Sequence, residues 1–337
     1  LYFFFPGSFR LAGKNFRRLA RMFGYSDKAT NGNGSARAGH HIISIDVEDW
    51  PQSTLDHNLP IGERVVANTR AFLELLDEAG VCATFFVLGK VAERHPSLAL
   101  EIARAGHEVA THGYSHESLE SMTRPQFKEE LHRAVEILRD QTGLPVHGHR
   151  AADFSISERR LYFLELLLQE GLSYDSSIFP IRLPRYGVNG AQRHPHLIRC
   201  ASGGLLVEFP PATVKLAGFV LPGAGGGYFR LFPYWWTRLT LRNIERSQHP
   251  GTCYFHPYEI DEEEIQKITY EVPPILRLSQ FTNRKTVREK FRRLLKNFRF
   301  TTMIESCRSL NRDNVPVALD LGVLPIRYGN ANYLVRR

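Results

Sequence analysis

The stretch SIDVEDW, residues 44–50, places Asp46, Glu48 and Asp49 within four positions at the end of the apolar run HIIS. Like charges crowded beside a core repel one another and resist desolvation, so a cation is expected among them. Further along, THGYSH supplies His112 and His116, four positions apart. Two imidazoles with one carboxylate from Asp46, Glu48 or Asp49 make a three-ligand set that leaves positions open for water, as a catalytic zinc site requires. The zincin pattern is absent, because Gly113 rather than a glutamate follows the first histidine. A pair of histidines on a surface loop would share this spacing, so the pair alone decides nothing.

Three other positions have matching character. VHGHRAADFS carries Arg150, whose guanidinium could grip a carboxylate through two parallel hydrogen bonds and keep it ionised. YDSSIFP offers Asp175 in a short polar turn, and CYFHPYEID sets His256 between an apolar run and a proline. Each also has a structural use: a surface ion pair for Arg150, a turn cap for Asp175, a core hydrogen bond for His256. What links them is placement, which depends on the elements that carry them.

Strand-like and helix-like stretches alternate from residue 41 onward. HIISID, CATFFVL, HEVATH and VHGHR are expected strands. Amphipathic helices are expected at 64–80, 95–106, 124–143 and 157–171, each closing on a glycine: Gly80, Gly106, Gly143 and Gly171. Units of this length point to repeated βα pairs and a parallel sheet. In such folds chemistry collects at the carboxyl ends of the strands, and there the acids, histidines and Arg150 all fall.

Composition limits the alternatives. The 337 residues carry a net charge of +8, yet residues 1–26 contribute +5 and residues 281–300 contribute +7, leaving the remainder at −4. A mildly acidic body argues against a nucleic-acid cleft. Cys82, Cys200, Cys253 and Cys307 are widely spaced, which indicates neither a disulfide framework nor a cysteine zinc site and makes a reducing compartment the default. No apolar run reaches the roughly 20 residues of a membrane-spanning helix. FRLAGKNFRRLARMF, residues 9–23, reads as a basic amphipathic helix suited to an anionic membrane surface, to packing on the body, or to organelle targeting. SDKATNGNGSARAG then reads as a flexible linker.

The ordered set IDVEDW, TFFVLG, HEVATHGYSH, GHRAADFSI, YDSSIFP, GGGYFRLFP and YFHPYEID resembles the polysaccharide deacetylases of the NodB-homology class, carbohydrate esterase family 4. Within that class it is most similar to the bacterial branch associated with exosortase and exopolysaccharide gene clusters. The resemblance runs from about residue 40 to about residue 300. It implies an α/β fold, a distorted (β/α)7-type barrel, and a divalent metal, usually zinc. It also implies Asp46 as catalytic base, His112 and His116 as metal ligands, Arg150 as the residue that orients the base, and His256 as general acid. For the third ligand the class commonly has two adjacent aspartates where this chain has DVED. Strand alternation favours Glu48, on the side of Asp46, while a turn could present Asp49. The chain also departs from the branch at Arg150-Ala151-Ala152-Asp153-Phe154-Ser155, where RAPSFS is common, and at His256-Pro257-Tyr258-Glu259, where HPWE is common.

The expected organisation is a leader and linker over 1–39, a catalytic domain with a C-terminal basic helix over 40–305, and a tail over 306–337. The expected activity is metal-dependent removal of N-acetyl groups from amino sugars of a bacterial exopolysaccharide or its precursor. Trp50, Asp175, Tyr228 and Tyr258 are expected to contact the substrate. Hydrolysis of a small cyclic amide, which needs a closed pocket, and a catalytically silent carbohydrate-binding protein are the alternatives. No nucleic-acid partner is expected. The location implied is cytoplasmic, with peripheral attachment at the inner membrane face available through the basic amphipathic ends.

Overall fold

The computed structural model describes residues 40–181 and 186–323, together with the backbone of strands at 326–328 and 331–333. The leader and linker expected over 1–39 lie outside the described residues. Fourteen strands are present among those described: β1 (His41–Val47), β2 (Thr84–Val87), β3 (Glu108–Thr111), β4 (Gly148–His149), β5 (Tyr174–Asp175), β6 (His196–Arg199), β7 (Leu205–Glu208), β8 (Thr213–Leu216), β9 (Phe219–Pro222), β10 (Thr252–Phe255), β11 (Phe300–Thr301), β12 (Val317–Asp320), β13 (Ile326–Tyr328) and β14 (Ala331–Tyr333).

Seven of them run parallel in the order β10, β1, β2, β3, β4, β5, β7. The ring then closes on itself, because Pro211 bridges Thr252 in parallel and the Ala212 amide donates to the Thr252 carbonyl at 2.9 Å. The architecture is therefore the expected α/β barrel of mostly parallel strands. Its distortion comes from two additions: β6 pairs antiparallel with β7 and leads through β12 to β13 and β14, and β8 and β9 form a separate hairpin. The sheet thus continues past residue 305 into the segment expected to be a tail.

Period-two alternation along β1 decides what faces the barrel interior. Ile43, Ile45 and Val47 pack outward into the layer beneath the helices, while Ile42 joins Phe86, Ala110, Tyr174 and Phe209 inside the barrel. Asp46 shares the parity of Ile42, so alternation carries its carboxylate inward. The interior is tight: a Cβ on Gly148 would lie 1.9 Å from the Tyr174 ring, which is why β4 carries glycine there.

The helices follow from their caps and stripes. Arg64–Ala79 buries Val65, Thr69, Phe72, Leu75 and Leu76 and ends at Gly80, φ 62°. Arg124–Thr142 begins with a capping box between Thr123 and Gln126, has a proline in its first turn, and ends at Gly143, φ 68°. The helix expected over 157–171 instead starts as a 3-10 segment, Glu158–Phe163, and becomes α-helical only over Leu164–Gln169. A tight first turn of this kind is common at helix starts. No helix among the described residues is long and apolar enough to cross a membrane.

Candidate active site

Every strand that bears on the site delivers its residue at or just past its carboxyl end. Asp46 lies at the end of β1, His112 follows β3, Arg150 follows β4, and His256 follows β10. Glu48 comes two positions after Asp46, on the same side. The loop holding His116 is fastened from several directions. Gln52 Nε2 donates to the Ser115 carbonyl at 2.9 Å, Ser115 Oγ donates to Glu130 at 2.7 Å, and the Lys90 amide donates to the Tyr114 carbonyl at 3.0 Å. His116, Asp153 and Phe154 have φ of 68°, 54° and 51°, a left-handed conformation that side chains with a Cβ rarely adopt. Backbone strain at three positions around one cleft is the pattern of a site whose geometry is imposed by its surroundings.

Arg150 is fully buried and makes four hydrogen bonds. Nη1 donates to Asp46 Oδ1 and to Ser44 Oγ, both at 2.7 Å, while Nη2 donates to Ser176 Oγ at 2.7 Å and Nε to the Ser176 carbonyl at 3.1 Å. The expected grip on a carboxylate is present, but only one nitrogen takes it. The Asp46 charge is thus compensated inside the barrel, with Oδ2 left facing the cleft, 3.9 Å from His256 Nε2.

Glu48, His112 and His116 bring one ligand atom each within 4.8 Å of one another, all buried. Glu48 Oε2 is 3.4 Å from His112 Nε2 and in direct contact with His116 Nε2, and Oε1 accepts from the Tyr258 hydroxyl at 3.0 Å. His112 Nδ1 lies 2.7 Å from the Arg150 carbonyl, an oxygen that can only accept. That contact fixes the proton on Nδ1 and turns the Nε2 lone pair toward the Glu48 carboxylate. A carboxylate with two imidazoles converging in a buried site is a donor set suited to a divalent metal such as zinc. The residues therefore fit the group. Burial alone would raise the pKa of Glu48, but the neighbouring histidines, His116 foremost, outweigh it and hold the carboxyl well below its usual range. Burial would likewise lower His116, and the facing Glu48 instead raises it.

His256 sits across the cluster, its ring stacked on Tyr258 at a centroid distance of 5.0 Å. Its Nδ1 is 3.5 Å from Glu259 Oε2, and its own amide donates to that oxygen at 3.2 Å. Burial would lower the pKa of this imidazole, but Glu259, Glu48 and Asp46 together raise it to about 9. Glu259 is itself held below the usual range, since His256 and Arg230 outweigh its burial. Sequence reasoning missed the role of Glu259; its signal was the three-residue spacing from His256 across a proline.

These groups floor a cleft of about 360 Å³, with Phe154, Tyr186, Tyr228, Tyr254 and Tyr258 along its walls. Tyr228 and Tyr258, expected to contact the substrate, line this cleft. Three expected positions do not. Asp49 turns away from the histidines and accepts the Gly62 amide at 2.9 Å, its pKa raised by burial, so Glu48 stands in the cluster instead. Trp50 is completely buried, edge-on against Phe281 at 4.8 Å, and offers no face to a sugar. Asp175 is also fully buried: its carboxylate lies 2.8 Å from His149 Nδ1 and accepts from Ser177 Oγ at 2.7 Å, and Ser177 Oγ receives the Ala151 amide at 2.8 Å. Asp175 therefore braces the turn after Arg150 rather than meeting a ligand.

Comparison with known proteins agrees with this arrangement. The polysaccharide deacetylase family model matches residues 48–167, and a domain of unknown function (DUF3473) matches residues 176–308. Residues 48–167 thus match the polysaccharide deacetylase family, the NodB-homology class that the ordered motifs resemble. Among curated relatives, the peptidoglycan deacetylase of Helicobacter pylori is 37% identical over 106 residues, 32% of this chain and 35% of that one. The peptidoglycan-N-acetylglucosamine deacetylase of Bacillus cereus is 35% identical over 75 residues, 22% of this chain and 27% of that one. The chain thus spans about a third or less of the length of these relatives. Among solved structures, a candidate polysaccharide deacetylase from Mycobacterium smegmatis superposes with a TM-score of 0.57 at 22% identity, covering 84% of this chain and 94% of that one. PuuE allantoinase gives 0.53 at 14% identity, covering 84% and 97%. At such identities the structures attest the fold alone.

Proposed function

We propose that the chain is a metal-dependent N-deacetylase that hydrolyses the acetamido group of amino sugars in a bacterial exopolysaccharide or its precursor. The observation that carries this reading is the arrangement of Asp46 and His256 beside one buried Glu48, His112, His116 cluster at the floor of an aromatic-walled cleft. Glu48, His112 and His116 would hold the metal. When bound, a divalent ion there supplies Lewis acidity toward an acyl oxygen and makes a nearby water more acidic.

The remaining steps belong to the chain's own groups. Asp46 Oδ2, oriented by the bond from Arg150 to Oδ1, takes a proton from the attacking water as its oxygen bonds to the acetyl carbon. His256 faces the same space and carries the proton that the departing nitrogen requires. As the carbon–nitrogen bond breaks, that proton passes from His256 Nε2 to the nitrogen, giving acetate and a free amino sugar. The two proton carriers then return to their starting states by exchange with water. Tyr258, kept neutral by burial and by the charges of Glu48 and Glu259, holds Glu48 in place through its hydroxyl.

The walls support a glycan in preference to a small cyclic amide, because aromatic faces such as those of Tyr186 and Tyr228 offer the stacking surface that sugar rings use. The test is release of acetate from N-acetylhexosamine oligomers by zinc-loaded protein. Stoichiometric acetate and free amine are expected. No release from any oligomer, while a relative releases it in parallel, would overturn the reading.

A further inference from the structure

One wall of the cleft is the helix Pro274–Phe281, which contributes Ile275, Leu276, Ser279 and Gln280 to the lining. None of its residues is fully buried and Leu278 is 69% exposed, while Leu276 and Phe281 pack against Trp50, Tyr258 and Val272. Its carboxyl end is also held by guanidinium groups. Arg230 Nη1 donates to the Ser279 carbonyl at 2.8 Å and the Thr282 carbonyl at 3.0 Å, and Arg284 Nε donates to the Gln280 carbonyl at 2.9 Å. Unpaired carbonyls at a helix end are where cations bind best.

Arg230 has a second face. It is 1% exposed, and its Nε lies 3.7 Å from Glu259 Oε1. On the other side of that carboxylate, His256 Nδ1 is 3.5 Å from Oε2. Neither nitrogen has a hydrogen-bond partner among the described residues. Two buried nitrogens therefore converge on one carboxylate from opposite sides, each just beyond hydrogen-bond range. Leaving such groups unpaired is unfavourable, and catalytic contacts that are long in a ligand-free site commonly tighten when substrate seats. The arginine cannot drift freely, since Lys290 Nζ donates to the carbonyls of Phe229, Arg230 and Phe232 at 3.2, 2.9 and 3.0 Å and so fixes the segment that carries it.

We propose that Arg230 is a positioning residue that couples the seating of substrate against the helix Pro274–Phe281 to the orientation of the proton donor His256, acting through Glu259. A glycan pressed on Ile275, Leu276 and Gln280 settles the helix end onto Arg230. The guanidinium then closes on Glu259, and Glu259 closes on His256 Nδ1, aiming Nε2 at the departing nitrogen. The inference rests on the deacetylase reading and adds to it a link between binding and proton delivery.

The test uses substrates that differ in what leaves. An N-acetylglucosamine oligomer loses an amine that must be protonated, whereas 4-nitrophenyl acetate loses a stable phenolate that needs no proton. In zinc-loaded full-length Arg230→Gln, kcat on the oligomer should fall about 10- to 100-fold, with KM raised, while ester hydrolysis stays within about threefold of the parent. Adding Arg230→Gln to Glu259→Gln should cause little further loss, because both changes cut the same link. If the Gln variant does not fold by circular dichroism, Arg230→Lys reads the same contrast, since an ammonium cannot span Glu259 and the helix end together. Equal losses on both substrates, or no loss on either, would overturn the proposal. A parent protein that hydrolyses the ester but not the oligomer would instead contradict the deacetylase reading, and the proposal with it.

Discussion

At the scale of single residues, most of the site is an exercise in compensating buried charge. Asp46 is answered by Arg150, Glu48 by two imidazoles, and Glu259 by His256 and Arg230. Removing one ligand should therefore show as lost metal before it shows as lost fold. In His116→Ala, elemental analysis should find far less than one zinc per chain; retention of full zinc would remove His116 from the site. A second residue-level test concerns stability. His107 is buried, its pKa lowered to about 4, and its Nδ1 accepts the Ala83 amide at 3.2 Å, which requires a neutral ring. The unfolded chain takes up this proton as pH falls below about 6.5, whereas the folded chain resists until about 4, so the stabilisation present above 6.5 is lost across that window. Glu264, pushed up to about 7 by burial, acts in the opposite sense, so the difference between two proteins is the useful quantity. His107→Asn keeps an acceptor but does not titrate, and its melting temperature should fall less steeply than the parent's between pH 6.5 and 4. Parallel curves would refute the assignment. Asp46 and His256 could be found from sequence because strand ends announce them, and Glu48 because alternation placed it with Asp46. Trp50 and Asp175 could not be placed, since burial by Phe281 and bracing of the turn after Arg150 depend on contacts remote in sequence.

Among the elements, the basic helix Val287–Asn297 is the most informative. Its composition suits a membrane surface, yet its apolar side is taken up within the protein. Val287, Phe291, Leu294 and Leu295 are buried, and Phe291 lies edge-on to Phe72 at 5.0 Å and to Phe255 at 4.9 Å. Amphipathicity identified the helix but could not say what would cover it. Phe291→Ala should reduce unfolding free energy by about 3–5 kcal/mol, read from the urea midpoint. A change below about 1 kcal/mol would mean that the ring is not part of the core. The helix ends were legible where a glycine marked them, as at Gly80 and Gly143. The helix Pro274–Phe281 was not legible as a cleft wall, because both the bonds from Arg230 and Arg284 and the packing of Phe281 on Trp50 join residues remote in sequence.

For the whole molecule, the parallel order β10, β1, β2, β3, β4, β5, β7 brings residues between 46 and 256 to one rim. The alternation of strand and helix patterns conveyed this much of the fold. The extension through β6, β12, β13 and β14 was not conveyed, since short strands at a chain's far end carry no pattern that names their partner. The central claim is that this rim removes acetyl groups from amino sugars, with Asp46 as the base. Its most direct test is acetate release from N-acetylglucosamine oligomers by the parent and by Asp46→Asn, each with its zinc content measured. The account predicts release by the parent and a loss of at least about 100-fold in Asp46→Asn, with zinc retained by both. Equal release by the two proteins, or none from a zinc-loaded parent, would contradict it.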